Sequence, residues 1–249
     1  MNSQNCKSLR ITVAIEVVAA VALSLAGHTA GAQSLSVVPV NVFMQPGQKA
    51  ATLTVKNSGS KSTSIQVRVF DWSQKGNEEQ LTPSNIVVAS PPLMTIEPEA
   101  SQVVRLILRQ SPTGREATYR IVLDQIPGPN EPGTVQMVLR LSIPIFAMPA
   151  TKAAPKVQFQ LQRDGDKLFL VGVNVGLSHE VLRDAVVTAA DGHKMNVMTK
   201  ASPYILAGVT KHWELDTQGY APQPGETLKL TADGATGPII EQIGVTSAP

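Results

Sequence analysis

Residues 134–146 predict one long β-strand with an apolar face. Side chains alternate between the two faces of a strand, so every second residue lies on the same side. The apolar face carries Val135, Met137, Leu139, Leu141, Ile143 and Ile145, and the other face carries Gln136, Arg140 and Ser142. Pro144 has no N–H with which to continue backbone pairing. Such a strand is either buried in a β-sandwich or kept available for a partner.

The first 32 residues have the pattern of a secretory signal peptide. The signals are, in chain order, Lys7 and Arg10, an apolar run over residues 11–26 that only Glu16 interrupts, and the small residues 30–32. The run is short of the ~20 residues that a membrane span needs, so an N-terminal anchor is the less favoured alternative. We therefore expect export, a mature chain that begins near Gln33, and no direct insertion into a membrane.

The composition excludes several kinds of chemistry. The one cysteine, Cys6, lies inside the predicted leader, so the mature chain is expected to have no disulfide, thiolate nucleophile or cysteine metal site. Lys and Arg number 21 against 19 Asp and Glu, and no basic run is dense enough to bind a phosphate backbone. Aromatic residues make up only 4% of the chain, which leaves few platforms for stacking. We expect no nucleic-acid partner.

Short apolar runs with alternating pattern recur from residue 34 onward, and Pro, Gly, Asn and Ser cluster between them. No segment has a convincing 3.6-residue apolar period, although residues 178–185 are compatible with a short helix. The pattern predicts an all-β chain with about seven strands per domain, which is typical of sandwiches. The predicted units are a first domain at 33–150, a linker at 151–155 and a second domain at 156–249.

No catalytic or metal-binding motif is present in the sequence. The histidines of the mature chain, His179, His193 and His212, have spacings that match no metal signature, so we interpret them as exposed loop residues. Asp71, Glu78 and Glu79 lie in a polar, hairpin-like segment, where solvated charges are favoured over a pair of catalytic acids. We therefore predict a protein without enzymatic activity, cofactor or resident metal.

Arg120 is the candidate anchor for a carboxylate. The strands at 118–124 and 134–146 flank a loop with three prolines and two glycines, so they are expected to pair antiparallel. With the loop centred near 130–132, Arg120 lies opposite Ser142 or a near neighbour, beside the linker. An arginine offers a two-pronged set of donors for a carboxylate. The alternative is a surface arginine that pairs with a nearby acid or with none.

Five motifs occur in order along the chain. They are residues 36–43 (Ser-Val-Val-Pro-Val-Asn-Val-Phe) with Pro46-Gly47, residues 91–98 (Pro-Pro-Leu-Met-Thr-Ile-Glu-Pro), residues 102–106 (Gln-Val-Val-Arg-Leu), residues 123–127 (Leu-Asp-Gln-Ile-Pro) and residues 135–146. Together they resemble the signature of the PapD-like periplasmic chaperones of the chaperone–usher pilus pathway. The resemblance covers essentially the whole mature chain and is strongest in the first domain.

This resemblance implies two immunoglobulin-like β-sandwich domains, joined at an angle by a short linker, with a subunit-binding cleft between them. Family members donate the last strand of their first domain to a pilin subunit that lacks one. The matching donor positions are Val135, Met137, Leu139, Leu141 and Ile143, and Val38, Val40 and Val42 match the edge of the N-terminal strand. The implied partners are pilin or spore-coat-like fimbrial subunits and an outer-membrane usher, and the implied location is the periplasm.

Departures from the common family pattern point to one branch of the family. Many members carry a basic pair in the cleft, and here Val40 or Asn41 and Pro144 stand at those positions. A proline there, with an arginine in the preceding strand, resembles the archaic (alternative) branch, which implies that Arg120 binds the subunit's C-terminal carboxylate.

A further departure is Gln125, which replaces the usual glutamate of the Glu-Ile-Pro motif. In family members that glutamate forms a buried ion pair with an arginine that matches Arg105. The sequence therefore leaves open whether Arg105 has another acidic partner or is solvated.

Two other functions stay open at this point. One is an immunoglobulin-like fimbrial subunit or adhesin, which would be expected to carry a donor extension and a cysteine pair. The other is a carbohydrate-active or metal-dependent sandwich enzyme, which would need clustered acids, aromatics or histidines. The sequence identifies neither the cognate subunit and the surface that its pilus targets nor the oligomeric state of the free protein.

Overall fold

A computed structural model describes residues 35–129, 133, 135–198 and 202–247. The predicted signal peptide at residues 1–32 lies outside this range, as do Cys6 and Thr134. Within the described residues all regular structure is β-strand, which confirms the all-β prediction. No helix in this part of the chain is long and apolar enough to cross a membrane.

The strands fall into two groups, and in the described residues no strand of one group pairs with a strand of the other. The first group is β1 (Leu35–Val38), β2 (Val42–Met44), β3 (Ala50–Asn57), β4 (Thr63–Lys75), β5 (Glu78–Pro83), β6 (Val87–Ser90), β7 (Leu93–Ile96), β8 (Ser101–Leu108), β9 (Ala117–Ile126) and β10 (Arg140–Ala147). The second group is β11 (Val157–Asp164), β12 (Lys167–Asn174), β13 (Glu180–Val181), β14 (Arg183–Thr188), β15 (Lys194–Val197), β16 (Tyr204–Ile205), β17 (Thr210–Asp216), β18 (Thr227–Asp233) and β19 (Pro238–Ser247). We refer to these groups as the first and second domains; the linker bounds of 151–155 stay a prediction.

The first domain is a sandwich of two sheets that share one core. One sheet has the order β1-β3-β8-β6, and the other has the order β2-β10-β9-β4-β5, with β7 paired to β4. Burial alternates along β8 as strand geometry requires, because Val104, Leu106 and Leu108 are buried while the residues between them are exposed. The inner faces of the two sheets therefore bury the apolar side chains that hold this domain together.

The N-terminal segment contributes a strand to each sheet. β1 pairs antiparallel with β3, whereas β2 pairs in parallel with the end of β10. Pro39, which cannot donate a backbone hydrogen bond, stands where the pairing with β3 stops. As a result β2 covers only residues 145–147 of β10.

The second domain closes on itself in the strand order β11-β12-β17-β15-β14-β18-β19, since β11 also pairs in parallel with β19. Leu161, Leu170 and Met195 are fully enclosed in its core. The short helix considered for residues 178–185 is wrong, because β13 and the start of β14 occupy them. β13 obtains its backbone partners from the distant β16, which satisfies groups that a helix would have paired locally.

A buried asparagine at the end of a strand fixes a turn in each domain. The side-chain amide of Asn57 donates to nearby carbonyls, and its oxygen accepts from the N–H two residues further on. Asn174 repeats the arrangement in the second domain, where its oxygen accepts from the N–H of Gly176 at 2.9 Å. A buried amide that lost these partners would cost about 1–3 kcal/mol for each group left unpaired.

Gly176 packs directly against the segment that joins the domains. A Cβ at this position would lie 2.3 Å from the backbone N of Lys156 and 2.6 Å from the carbonyl oxygen of Ala154. The N–H groups of Val175 and Leu177 donate to the carbonyls of Lys156 and Ala154, each at 2.9 Å. The end of the predicted linker is therefore held by backbone contacts that leave no room for a side chain.

We expect Gly176→Ala to lower the free energy of unfolding by about 3 kcal/mol or more, because the added methyl group overlaps backbone atoms that cannot rotate away. Urea denaturation followed by far-UV circular dichroism would measure the loss. Gly244→Ala is the matched control, since nothing lies within 4 Å of the Cβ added there. Equal stability of the two variants would contradict the packing described here.

Candidate functional site

The two halves of the strand predicted at residues 134–146 have different surroundings. Regular pairing begins only at Arg140, so the strand is shorter than its sequence pattern predicted. The side chains along its apolar face are, in order, Val135 (93% exposed), Met137 (83% exposed), Leu139 and Leu141 (both half-buried) and Ile143 (6% exposed). Ile143 lies in the core of the first domain. One face of the segment therefore fills the chain's own core at one end and is open to solvent at the other.

One edge of β10 is also open. On one side the strand pairs with β9 along its whole length. On the other side β2 covers only Ile145, Phe146 and Ala147. Among the described residues, no strand covers residues 140–144 on that side, and an unpaired edge of this kind is where a further strand can add.

Gln125 of β9 holds the point where β10 begins. Its backbone N–H donates to the carbonyl of Leu139 at 2.9 Å, and the N–H of Leu139 donates to the side-chain oxygen of Gln125 at 3.1 Å. The amide nitrogen of the same side chain donates to the hydroxyl of Thr63 at 3.0 Å. An amide can accept and donate at once, whereas an ionised glutamate could only accept. Glutamine therefore suits this buried position.

Asp124 joins three neighbouring strands at the same point. It lies directly opposite Arg140 in the pairing of β9 with β10 and accepts a hydrogen bond from the Arg140 guanidinium. Arg68 of β4 donates to its other oxygen at 3.1 Å. Burial alone would raise the pKa of Asp124, but the hydrogen bonds and charges of Arg68 and Arg140 outweigh it and hold the pKa below its ordinary value.

Arg120 lies opposite Pro144, two residues beyond the position expected from the sequence, and is 7% exposed. Its guanidinium carbon lies 3.8 Å from the centre of the Trp72 ring and 5.7 Å from the centre of the Tyr204 ring of the second domain. Its Nη2 donates to both carboxylate oxygens of Glu79 at 3.2 Å. Burial lowers the pKa of Arg120 and Glu79 opposes that shift. The arginine is thus paired with an acid, as one sequence alternative proposed, but it is buried between aromatic rings rather than on the surface.

Two polar atoms at this place are enclosed by protein without a hydrogen-bond partner in the described residues. They are the Nε of Arg120 and the indole Nε1 of Trp72, which stacks on it. An unpaired buried donor costs about 1–3 kcal/mol, so such atoms are uncommon and call for an explanation. Local rules of this kind are most often broken at functional sites.

The hairpin between β4 and β5 holds the second domain against this site. The side-chain amide of Gln74 donates to the carbonyl of Tyr204 and accepts from the N–H of Leu206, both at 3.0 Å. Asn77 forms the same two kinds of hydrogen bond with the backbone of His212. Each amide side chain imitates one step of strand pairing, so the hairpin positions the two domains relative to each other.

His179 is buried between the domains, which corrects the interpretation that it is an exposed loop residue. Its Nδ1 lies 2.8 Å from the Glu116 carboxylate, and its backbone N–H donates to the same carboxylate at 2.8 Å. Its ring stacks on Phe146, with 3.7 Å between the ring centres. Glu116 belongs to no motif and lies 63 positions away in sequence, so no local signal could have revealed the pair.

The other histidines and the acids considered for catalysis have separate environments. His193 stacks on Tyr220 and His212 is exposed. Asp71 accepts from the hydroxyl of Ser84 at 2.6 Å, whereas Glu79, expected to be solvated, pairs with Arg120. Within the described residues no three His, Cys, Asp or Glu side chains are grouped so that they could hold a metal ion.

The predicted N-terminal edge positions differ from one another. Val38 and Val40 are 68% and 69% exposed, whereas Val42 is 2% exposed and packs in the core. Val42 is therefore not accessible for edge contacts in this structure. Arg105 is exposed on β8 and forms no ion pair in the range that the structure describes. Of the two alternatives for Arg105, an acidic partner or solvation, the structure therefore supports solvation.

The first domain matches a known protein family. Residues 34–153 match the family described as "Pili and flagellar-assembly chaperone, PapD N-terminal domain". The first domain belongs to this family. The chain is 28% identical over 152 residues to the fimbrial chaperone YbgP of Escherichia coli K12, and the match covers 52% of this chain and 61% of YbgP. It is 29% identical over 135 residues to the chaperone protein PapD of Escherichia coli, which covers 52% of this chain and 53% of PapD. It thus spans less than two thirds of each relative.

A solved structure extends the likeness in fold to both domains. CsuC, in its pre-assembly complex with the tip subunit CsuE of the archaic chaperone–usher Csu pili of Acinetobacter baumannii, is similar with a TM-score of 0.63. The match has 20% sequence identity and covers 87% of this chain and 100% of the other. A similarity at this level of sequence identity establishes the fold alone, and it supports the predicted pair of immunoglobulin-like domains.

We expect the wild-type protein to lose more stability than Asp124→Asn between about pH 6 and about pH 3. The pKa of Asp124 is lower in the folded protein than the unfolded value of about 3.9, so its contribution is present above that value and disappears as the pH falls through the lower folded pKa. Asparagine does not titrate and has no such loss. Urea midpoints over this range would measure the difference, and Asp166→Asn on an exposed turn is the control. Parallel profiles for the wild type and Asp124→Asn would contradict the ion-pair assignment.

Proposed function

We propose that this protein is a periplasmic chaperone that binds incomplete pilin subunits by donating the segment around the start of β10, and that it delivers them to an outer-membrane usher. It acts by binding and catalyses no reaction. The observation that carries this proposal is an apolar strand face that continues past the chain's own core beside an unpaired strand edge.

Strand addition uses both features at once. The open edge at residues 140–144 supplies backbone donors and acceptors that any extended segment of a partner can pair with. The exposed side chains of Val135 and Met137 lie on one face, where alternate residues can fill successive pockets of an unfinished sandwich. Backbone pairing gives general affinity, and the side chains give selectivity.

We assign the donated side chains to Val135, Met137, Leu139 and Leu141. Ile143 was included among the matching positions, but it is 6% exposed in the chain's own core and would have to leave that core to fill another. Burial of four apolar side chains at about 1.5–3 kcal/mol each gives a gross gain on the order of ten kcal/mol before ordering costs. That is enough to hold an unfinished subunit and to protect its groove.

We further propose that Arg120 binds the C-terminal carboxylate of the subunit. Its guanidinium is fixed by stacking on Trp72, and it lies beside Pro144, next to the open edge of β10. A fixed cation at the inner end of the donated segment would set the register of the incoming chain. Val38 and Val40, which are exposed on the N-terminal strand, are proposed edge contacts for the same subunit.

The archaic branch is the proposed subfamily, with pilin or spore-coat-like subunits as cargo. The support is the arrangement of Pro144 opposite Arg120, together with a fold similar to that of CsuC, which is described as the chaperone of an archaic system. The predicted signal peptide at residues 1–32 and the kinship with fimbrial chaperones support a periplasmic location.

We expect Met137→Asp to abolish the stoichiometric complex with a subunit, because a carboxylate would have to enter an apolar pocket. Met137 is 83% exposed, so the free protein should keep its stability. The measurement is co-expression with a pilin subunit that lacks its last strand, followed by size-exclusion chromatography of the complex and a thermal melt of the free variant.

Val138→Asp is the matched control for this test. Val138 is 52% exposed and lies on the opposite face of the same segment, so its charge should be tolerated much better than that of Met137→Asp. A complex that survives Met137→Asp, or one that both variants disrupt equally, would exclude donation through this face.

We expect Arg120→Ala to weaken binding of a subunit with an intact C-terminal carboxylate by about tenfold to a hundredfold, the effect of one or two charge-assisted hydrogen bonds. The loss should disappear when the subunit's carboxylate is removed by amidation. Calorimetric titration of both forms of the subunit segment into the purified chaperone would measure it. Unchanged affinity for the free carboxylate would remove Arg120 from this role.

A further inference from the structure

Glu79 is the acidic partner of Arg120 in the free protein, and its position differs from that of a purely structural partner. It lies on β5, the outermost strand of its sheet, and its side chain is 29% exposed, whereas the Arg120 side chain is 9% exposed. The carboxylate therefore reaches a buried cation from the solvent side.

We propose that Glu79 is a displaceable stand-in for the incoming carboxylate, and that a ligand's carboxylate exchanges with it on Arg120. This inference rests on the proposed function of the site and adds to it a regulatory contact. In the free protein the contact keeps the anchor neutralised, and it releases the anchor only to another carboxylate.

The donors that Arg120 has available require an exchange. A carboxylate bound through two donors can use the Nε side or the terminal pair of the guanidinium. The Nε is enclosed by protein and cannot be reached by an incoming carboxylate, so only the terminal pair, Nη1 and Nη2, is available. Nη2 of that pair already donates to both oxygens of Glu79 at 3.2 Å. A second carboxylate can therefore bind Nη1 and Nη2 together only if Glu79 leaves Nη2.

Electrostatics explain why the free protein keeps a stand-in. An uncompensated charge buried as deeply as Arg120 would cost several kcal/mol. Two carboxylates held at one guanidinium would repel each other, so addition of a second without release of the first is unfavourable. The partly exposed Glu79 can return to water at low cost, and a tightly buried acid could not.

The surroundings of Glu79 also favour its re-binding to Arg120 once a ligand has left. Its charge acts on the buried Lys211, whose pKa burial lowers and Glu79 raises. Lys211 uses two of its three donors on the carbonyls of Ser202 and Tyr204. A released Glu79 therefore stays within the electric field of a second cation and close to the anchor.

The test uses the full exported chain labelled with nitrogen-15 and a pair of small probes. N-acetylglycine carries a carboxylate, and N-acetylglycinamide is the same molecule without that charge. The Arg120 Nε–H and Trp72 indole N–H signals report binding in the NMR spectrum, because both groups are enclosed at the site and form no hydrogen bond with any residue that the structure describes. Titrations are run on the wild type, Glu79→Gln and Glu78→Gln.

We expect Glu79→Gln to bind N-acetylglycine about tenfold more tightly than the wild type, which corresponds to about 1.4 kcal/mol. Glu78→Gln should match the wild type. Glu78 is exposed, lies next to Glu79 on β5 and faces Lys75 of β4, and its substitution changes the net charge by the same amount. N-acetylglycinamide should move neither signal in any variant. Equal affinity of Glu79→Gln and the wild type for N-acetylglycine, an equal gain in Glu78→Gln, or a response to the amide would overturn the exchange.

The exchange between Glu79 and a ligand carboxylate can still be tested if Glu79→Gln fails to fold. Thermal melts establish whether Glu79→Gln is folded, and Glu79→Asp provides a second route, since it keeps the charge but shortens the reach to Nη2. We expect Glu79→Asp to show a smaller gain in affinity for N-acetylglycine in the same direction. No gain in that variant, if it is folded, would contradict the exchange.

The same variants separate this inference from the proposed function. If N-acetylglycine behaves as expected but no variant forms a complex with a pilin subunit in co-expression, the exchange stands and the chaperone role fails. If subunits bind with an affinity that Glu79→Gln does not change, the chaperone role stands and the exchange fails.

Discussion

The pairing of β10 with β9 is the contact on which the rest of the site depends. Along residues 140–147 it ties the last strand of the first domain into the sandwich, and every functional group is placed by its register. Asp124 and Gln125 mark where the strand begins, and Arg120 faces Pro144 near its middle. A shift of one residue in this register would turn the core-facing side chains outward, so burial of Ile143 and Ile145 enforces it.

The two faces of β10 serve different neighbours. The face with Ile143 and Ile145 packs in the first domain, and the face with Phe146 packs against Trp72, His179 and Tyr204, where the domains meet. The side of the strand that faces the second domain is therefore packed by aromatic stacking, and the buried cation Arg120 stacks on Trp72 of this cluster. One short strand thus connects the core, the open edge and the contact between domains.

Alternation of apolar residues was sufficient to predict the all-β class and a strand in the second half of residues 134–146, and the Pro- and Gly-rich loop predicted its antiparallel pairing with β9. It could not locate the start of β10, because that depends on the side chain of Gln125 rather than on hydropathy. The register estimate missed by two residues because a loop length fixes its centre only approximately. Glu79 and His179 were interpreted as solvated residues, since their partners come from strands far away in sequence. The helix considered for residues 178–185 failed for the same reason, because a distant strand supplied the hydrogen bonds.

The hydrogen bonds between Gln125 and Leu139 also set a length. They fix one end of the exposed segment, and residues 135–139, if fully extended, would span about 17 Å at about 3.3 Å per residue. Three side chains on the apolar face, Val135, Met137 and Leu139, lie within that reach, and the half-buried Leu141, which also packs against the chain's own core, follows them in β10. The length of the exposed segment therefore limits how much of a partner's apolar groove it can cover. In a groove much longer than about 17 Å, the uncovered part would stay accessible to a different strand.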